Sequence, residues 1–547
     1  MNEQRKTCVY KNVTTGWKCP YEALEDSKDG FCIFHERRKD KDIEKFNEGI
    51  IKILVDKESD AYHFEGFFFP VLFLTFNFYC LLMDFEFDNE FRKYVFFCES
   101  EFSEGAHFAG FKFSGEKSDF SGAKFLGEET IFHEVTFLGK HTNFSQAEFL
   151  GEKTYFLLTR FKSKNTTFTG IKSSGNIYFN WSEFSGLNTD FQRGTFSGEI
   201  TGFLWTDFSG GNTDFSEAQF LKGLTSFREA KFSAEKTSFI DTNFSGIQTI
   251  FSRAEFSGKN IDFSGADFLN GIVNFTYSRF LKSILFNRTI FEAKTNFTGV
   301  DLTKSAFIEV ELKKVDFDGL FWDWNDKLRN ETELEEILKK LRVYEKKSKP
   351  LSVDPDFLPP LFGDTKNQKE ERGRAYFLTS EVYRQLKVNF HNKRDFAKAG
   401  MFHFREQECK RKACKLPQQF FKWIFLWILK LACGYGEKLR NVGLSSLALV
   451  FIFGIIYMFL GLHNTDQNES SLFKYTLKIF TTTSSGTILK DLWTSFIFSI
   501  KGFFPLWRFQ QYKVVGDFSN LIAGFEFLLG AFMVGLFVYV FRRRMDK

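Results

Sequence analysis

Residues 119–149, DFSGAKFLGEETIFHEVTFLGKHTNFSQAEF, decide how the chain folds. Phenylalanine returns at Phe120, Phe125, Phe132, Phe137, Phe144 and Phe149, with gaps that alternate between five and seven residues. An α-helix repeats every ~3.6 residues and a strand every two, so neither sets this rhythm. Two residues before a Phe stands a small or β-branched residue: Ala123 before Phe125, Thr130 before Phe132, Ala147 before Phe149, Thr225 before Phe227. Positions i and i−2 share one face of an extended chain, so each Phe and its small partner point into one core. The Ser-Gly, Asn and Asp residues between them read as corners. Short strand, corner, short strand, corner is a solenoid, and the pattern persists with slips from 108 to 297.

The wider composition agrees. Phe fills 78 of 547 positions and Pro only 8, a bias expected of a repeated core. Net charge is +4, from 73 basic and 69 acidic side chains. That balance points away from an electrostatic nucleic-acid binder and lacks the acidic excess of a DNA mimic. The first thirty residues hold no apolar run of the signal-peptide kind. Eight cysteines in so long a chain do not make a disulfide scaffold.

The segment ADFLN (266–270) matches the unit A-[DN]-[LF]-x-x, AKFLG (123–127) matches it except at Lys124, and the chain therefore resembles the pentapeptide-repeat family. The resemblance implies a right-handed quadrilateral parallel β-helix with one pentapeptide per side. Here every second unit carries two extra residues, as in FSGEKSDF, so a coil of four sides takes 24 residues. Some eight coils at ~4.8 Å each would make a rod of roughly 40 Å. Past Phe286 the spacing tightens toward plain fives. The Phe residues are read as core; outward charge is mixed, so no face is singled out for a protein partner. Residues 61–85 imitate a membrane span, but His63, Glu65 and Pro70 interrupt them and Asp84, Glu86 and Asp88 crowd their end. They read as the first coils and cap of the solenoid, which is assigned to 59–324.

Ahead of it, in 1–58, Cys8, Cys19, Cys32 and His35 form C-x10-C-x12-C-x2-H. Three thiolates and an imidazole suit tetrahedral Zn2+ in a structural role; the competing reading is free cysteines in a small polar domain. After the solenoid, 325–416 reads as a helical linker, with charged helical periodicity over 331–347, a Pro-rich loop over 349–368, and a helical hairpin turning at 391–394. Val382, Tyr383, Leu386 and Phe390 share one face, and Ala397, Gly400 and Met401 are placed to receive it. YRQLKVNFHNKRDFAKAGMFHFRE looks like the tetratricopeptide-like hairpin of pentapeptide-repeat membrane proteins, which implies a coupling bundle, or less readily a peptide groove.

Residues 442–462 and 519–541 are apolar enough to span a bilayer, the second interrupted only by Glu526. Arg542, Arg543 and Arg544 at its end place the C-terminus in the cytoplasm, and two spans then put the solenoid on the same side of a multi-pass cell-membrane protein. Residues 417–440 carry Trp423 and Trp427 with Lys422 and Lys430, and read as a helix lying along the lipid surface rather than a third span. Within the two-span module 441–547, residues 492–500 are too short to cross and suit a re-entrant half-helix. Span, re-entrant segment, span resembles the pore-loop channel layout. No T-x-G-[YF]-G filter is present: TTTSSG (481–486) precedes the candidate helix and KGFFPLWRF (501–509) follows it. Candidates for a pore lining or helix interface are Trp493, Ser495, Ser499, Lys501, Phe503, Phe504, Glu526 and Gly530. A carboxylate in a span either faces water or locks helices together. Gly524, Gly530, Ala531 and Gly535 permit close helix contact.

No P-loop, strand-borne GxGxxG or HExxH is present, and the eight histidines are scattered, so no enzyme is expected. The leading expectation is a homo-oligomeric channel for inorganic ions, tetrameric by analogy with pore-loop channels. The second is a membrane-anchored scaffold. A DNA-mimicking topoisomerase inhibitor, known among pentapeptide-repeat proteins, comes last, and no nucleic-acid partner is expected.

Overall fold

The computed structural model describes residues 6–70, 89–320, 322–329, 331–332, 335, 368–464, 485–504, 512–514 and 517–545. They form two compact units, Met1–Glu333 and Leu334–Lys547. Most of 331–347, all of 349–367, and 71–85 from the apolar stretch lie outside the described residues.

The first unit is a four-sided parallel β-solenoid. Among the described residues its four sheets contain 11, 10, 9 and 10 strands, each inner strand paired in parallel with strands one coil before and after. Thr130 pairs with Ala106 below and Thr154 above, a 24-residue coil. Toward the C-terminus the coil shortens: Ile272 faces Lys294, and Thr295 faces Val315, twenty residues on. That is four plain pentapeptides, where the bulges at two corners have gone. The rod has more coils than the eight expected because pairing starts at β1 (Ala61–His63) and β2 (Phe68–Phe69) and continues to Val315–Asp316.

Every Phe of the opening stretch is fully buried, as are the small residues Ala123, Thr130, Ala147 and Thr225. Rings repeat up the rod at the strand spacing: Phe120–Phe144 at 4.6 Å and 4°, Phe144–Phe168 at 5.0 Å and 5°, Phe168–Phe191 at 4.8 Å and 3°. Backbone pairing imposes a separation near 4.8 Å, wider than ring contact, so the rings stack offset. Each also meets the next column edge-on, as Phe132 meets Phe144 at 88°. Burying each ring contributes about 1.5–3 kcal/mol before entropy. Where Ala is replaced by Ser or Thr, the hydroxyl bonds back to the coil below: Thr206 Oγ1 donates to Phe179 O (2.8 Å) and Thr242 Oγ1 to Phe215 O (2.8 Å).

Residues 6–58 close the open end. Helix α1 (Ile43–Val55) is capped by Asp42, whose side chain accepts from Lys45 N, and buries Phe46, Ile50, Ile51, Ile53 and Leu54. Phe46 sets its ring edge-on against Phe69 at 5.7 Å. Phe34 stacks on Phe67 at 4.6 Å and 6°. Phe68 N donates to Phe34 O at 2.8 Å, the bond that Glu101 N makes to Phe67 O one coil higher. Residues around Phe34 therefore serve as the rung beneath the first coil.

In the second unit, α2 (Gln368–Asn392) and α3 (Phe396–Ala413) form the hairpin. Val382, Tyr383, Leu386 and Phe390 are buried as one face. Of the residues expected to receive it, Gly400 is buried, Met401 is half-buried and Ala397 is exposed; Ala399 and Phe402 are buried as well, with Phe402 stacked on Phe390 at 5.4 Å. The register follows the aromatic pair. Helix α4 (Phe420–Cys433) has 14 residues, about 21 Å, short of a ~30 Å bilayer core. It ends at Gly434 in the left-handed conformation, where Gly434 N bonds Lys430 O and Tyr435 N bonds Leu429 O. Helices α5 (Leu439–Leu460), α6 (Ser485–Phe503) and α7 (Asp517–Met545) follow. Two of the described helices contain stretches long and apolar enough to cross a membrane, Leu439–Leu460 and Ser519–Arg542.

Candidate metal centre and membrane module

The long gaps of the cysteine motif close in space. Cys8, Cys19, Cys32 and His35 are buried, and their ligand atoms all lie within 4.8 Å of one another. Cys19 Sγ is 3.6 Å from Cys32 Sγ, and His35 Nδ1 is 3.2 Å from Cys32 Sγ and 3.6 Å from Cys8 Sγ. A disulfide needs ~2.05 Å, so these are separate thiols. A tetrahedral ion with metal–sulfur bonds of ~2.3 Å sets its ligands about 3.7 Å apart.

Burial and hydrogen bonding prepare the donors. His35 Nε2 lies 2.9 Å from Glu65 O. A carbonyl only accepts, so Nε2 carries the hydrogen and Nδ1 is the ring nitrogen turned toward the sulfurs. Tyr10 stacks over the imidazole at 4.0 Å. Hydrogen bonds from Cys19 and Cys32 hold the Cys8 thiol far below its ordinary range, while the same contacts push Cys19 up. The close sulfurs thus favour a thiolate among them. Three sulfurs and one aimed imidazole nitrogen fit a metal ion.

In the membrane module, the strand Leu462–Asn464 directly follows α5 and pairs antiparallel with Tyr512–Val514, just before α7. Residues 465–511 are therefore an insert pinched at its neck. Helix α6 lies inside that insert. Its Phe498 packs with Phe453, Tyr457 and Leu462, near the neck. Its Phe503 belongs to a second buried cluster with Val442, Val450, Met533 and Val540, deeper along the spans. Gly530 leaves no room for a Cβ beside Phe503 O, and sits 13 residues into α7, about 20 Å from its start. The chain is back at the neck by Tyr512, so it enters and leaves by one end. The helix is longer than the 492–500 expected: the mixed segment SGTILKD (485–491) continues its turns at the start and Lys501 to Phe503 at the end; Ser485 and Gly486 of TTTSSG begin it. Residues 481–484 and 505–509 lie outside the described residues.

The candidates divide between its faces. Ser495, Ser499 and Phe503 are buried, Trp493 and Phe504 are exposed, and Lys501 is half-buried. Glu526 is fully buried within one chain: Tyr457 Oη donates to its Oε2 at 2.5 Å, and Ser499 Oγ, which also reaches Val450 O at 2.8 Å, contacts its Oε1. Of the small residues on α7, Gly530 makes a close contact within the protomer, whereas a Cβ at Gly524 or Gly535 would meet nothing within 4 Å. On α4, Trp427 is exposed and Trp423 half-buried; Arg542 is exposed, and the side chains of Arg543 and Arg544 lie outside the described residues.

Three partners were not singled out by sequence reasoning. Tyr457 answers Glu526, and a phenol in an apolar span was the available signal. Glu65 O, aimed at His35, has no such signal. Glu408 accepts from Arg411 (2.6 Å), Lys430 (2.9 Å) and Tyr435 (3.0 Å), so Lys430 braces α4 against α3.

Set against known proteins, the chain matches no family model, no curated sequence and no solved structure. A repeat solenoid followed by two helices able to span fits a membrane-associated repeat protein.

Proposed function

We propose that the chain is a homo-oligomeric membrane channel for inorganic ions, tetrameric, multi-pass in the cell membrane, with the solenoid and C-terminus in the cytoplasm. The observation that carries this reading is the neck-closed insert: a helix descends between two spans and the chain returns to the end it entered by, the layout that irregular backbone needs at membrane depth. Gly524, Ala531 and Gly535, open on α7, favour close contact with another subunit. Around such an axis, Trp493, Lys501 and Phe504 are the lining candidates, and Lys501 disfavours cations wherever it faces the pore. The solenoid serves as sensor or scaffold for a protein partner, and the hairpin transmits motion. No catalysis is assigned to the chain. The Cys8, Cys19, Cys32 and His35 centre holds Zn2+ in a structural role, since it offers four protein ligands and no obvious place for a substrate.

A membrane-anchored scaffold is the second reading, favoured by Glu526, whose two oxygens are both engaged inside the protomer. Mass measurement in detergent and current recording in lipid bilayers separate the two. An oligomer that conducts, with current altered by Lys501→Glu, supports the channel. A monomer, or an oligomer silent under voltage, tension and candidate ligands, leaves the scaffold.

A further inference from the structure

We propose that the Cys8–Cys19–Cys32–His35 centre is a metal-operated clasp on the open end of the solenoid: a bound ion keeps residues 6–41 seated on the first coil, and its loss uncovers β1 and β2 while the inner coils stay folded. This rests on the metal-ion reading of the centre.

One imidazole belongs to both structures. Its Nδ1 faces the three sulfurs, and its Nε2 donates to Glu65 O at the first corner of the rod. One residue earlier, Phe34 supplies the carbonyl that pairs with Phe68 N and the ring that covers Phe67. The ligand-bearing segment reaches further along the same end. Tyr10 fills the space that Gly66 leaves by lacking a Cβ, and its hydroxyl donates to Glu99 at 3.1 Å. Asn12 Nδ2 reaches Cys98 Sγ at 3.7 Å, and Thr15 Oγ1 donates to Glu65 at 3.1 Å.

Cross-loop backbone bonds, such as Cys8 N to Tyr21 O (2.8 Å), Cys19 N to Tyr10 O (3.1 Å) and Leu24 N to Phe31 O (2.9 Å), tie this segment together without a helix or a continuous strand among the described residues. Its regular pairing among the described residues is two isolated bridges, Thr7 with Glu22 and Lys11 with Lys18. A piece so short cannot bury enough apolar surface to fold on its own account, and metal-binding energy becomes folding energy in such cases. What it covers is costly to expose: Phe67, beneath the Phe34 ring, is fully buried, and the edge paired through Phe34 O and Phe68 N would be left open. In a solenoid each coil contacts only its neighbours, so the loss stays at that end.

The test uses the full chain in detergent. Metal content is measured on protein purified without added chelator, and hydrogen exchange is followed before chelation, after it, and after Zn2+ is restored. One ion per chain is expected. Chelation should raise exchange over 61–69 about tenfold or more, leave 140–260 unchanged, and be reversed by Zn2+. Cys19→Ser should mimic chelation, whereas Cys98→Ser, a buried thiol outside the ligand set, should keep the ion. Absence of bound metal with no uptake of Zn2+ overturns the metal reading itself. Metal that is present, but whose removal leaves 61–69 protected, overturns the clasp alone. Exchange rising along the whole rod overturns it too, because the ion would then support the entire fold.

Discussion

The hydroxyl of Tyr457 on α5 donates at 2.5 Å to Oε2 of Glu526 on α7, bridging the two spans through a fully buried carboxyl group. Interhelical hydrogen bonds in membranes contribute about 0.6 kcal/mol on average and up to ~1.7. Tyr457→Phe should therefore lower stability in detergent by an amount in that range. Tyr457→Phe and Ser499→Ala should be non-additive, since they share Glu526. Thermal unfolding of the single and double variants checks this. Strict additivity would mean that the two hydroxyls do not act on one carboxyl group.

The solenoid makes a sharper prediction from its glycines. Gly151 follows Phe149 by two residues, and a Cβ there would collide with Gly127 O on the coil below, as one at Gly175 would with Gly151 O. Gly110 has a positive φ of 74° but nothing within 4 Å of its Cβ position. Gly110→Ala should cost about 1–2 kcal/mol, the conformational strain alone. Gly151→Ala has to move one coil relative to another and should cost clearly more. Chemical denaturation of the two variants compares them directly, and equal losses would refute the close-stacking account.

The strand order was legible because each Phe reports both a face and a corner-to-corner distance, and a chain of fixed reach has few ways to satisfy both. The corners were less so. Trp181 and Trp205 adopt positive φ, where glycine would be anticipated, because stacking between coils fixes their backbone. The grouping of Cys8, Cys19, Cys32 and His35 was legible from residue type despite their gaps, but their seat on the first coil was not. Glu65 meets His35 through a carbonyl that every residue type shares. The start of α6 was missed because a continuous apolar run marks only part of a helix, while the mixed segment from Ser485 to Asp491 is held by backbone bonding that any of these residue types can make.

Acid should loosen the hairpin from α4. Burial raises the Glu408 carboxyl, but hydrogen bonds from Arg411 and Lys430 more than offset it and bring it down to about 2. Its pKa is lower folded than unfolded, so its stabilisation is full above the ordinary carboxylate range and is lost as pH falls from about 4.5 toward 2. At neutral pH this amounts to ~3 kcal/mol as an upper figure. Glu408→Gln should lose that contribution at neutral pH and flatten the acid dependence. Limited proteolysis between α3 and α4 across that window reads the effect, and an unchanged acid profile in the variant would show that another group governs it.

The neck of the insert offers the most direct check on the membrane module. Asn464 and Tyr512 are opposed in the antiparallel ribbon, and opposed residues in such a ladder have Cα atoms about 4.5–5.5 Å apart, within disulfide reach. Asn464→Cys with Tyr512→Cys should therefore cross-link under mild oxidation in an otherwise native chain. The product should run as an intramolecular species, and a cleavage site engineered between 465 and 484 should leave the fragments joined until reductant is added. A pair that forms no bond, or bonds only between chains, would mean that the ends of the insert lie apart. The helix Ser485–Phe503 would then be free to cross the bilayer, and the re-entrant layout behind the channel proposal would fail.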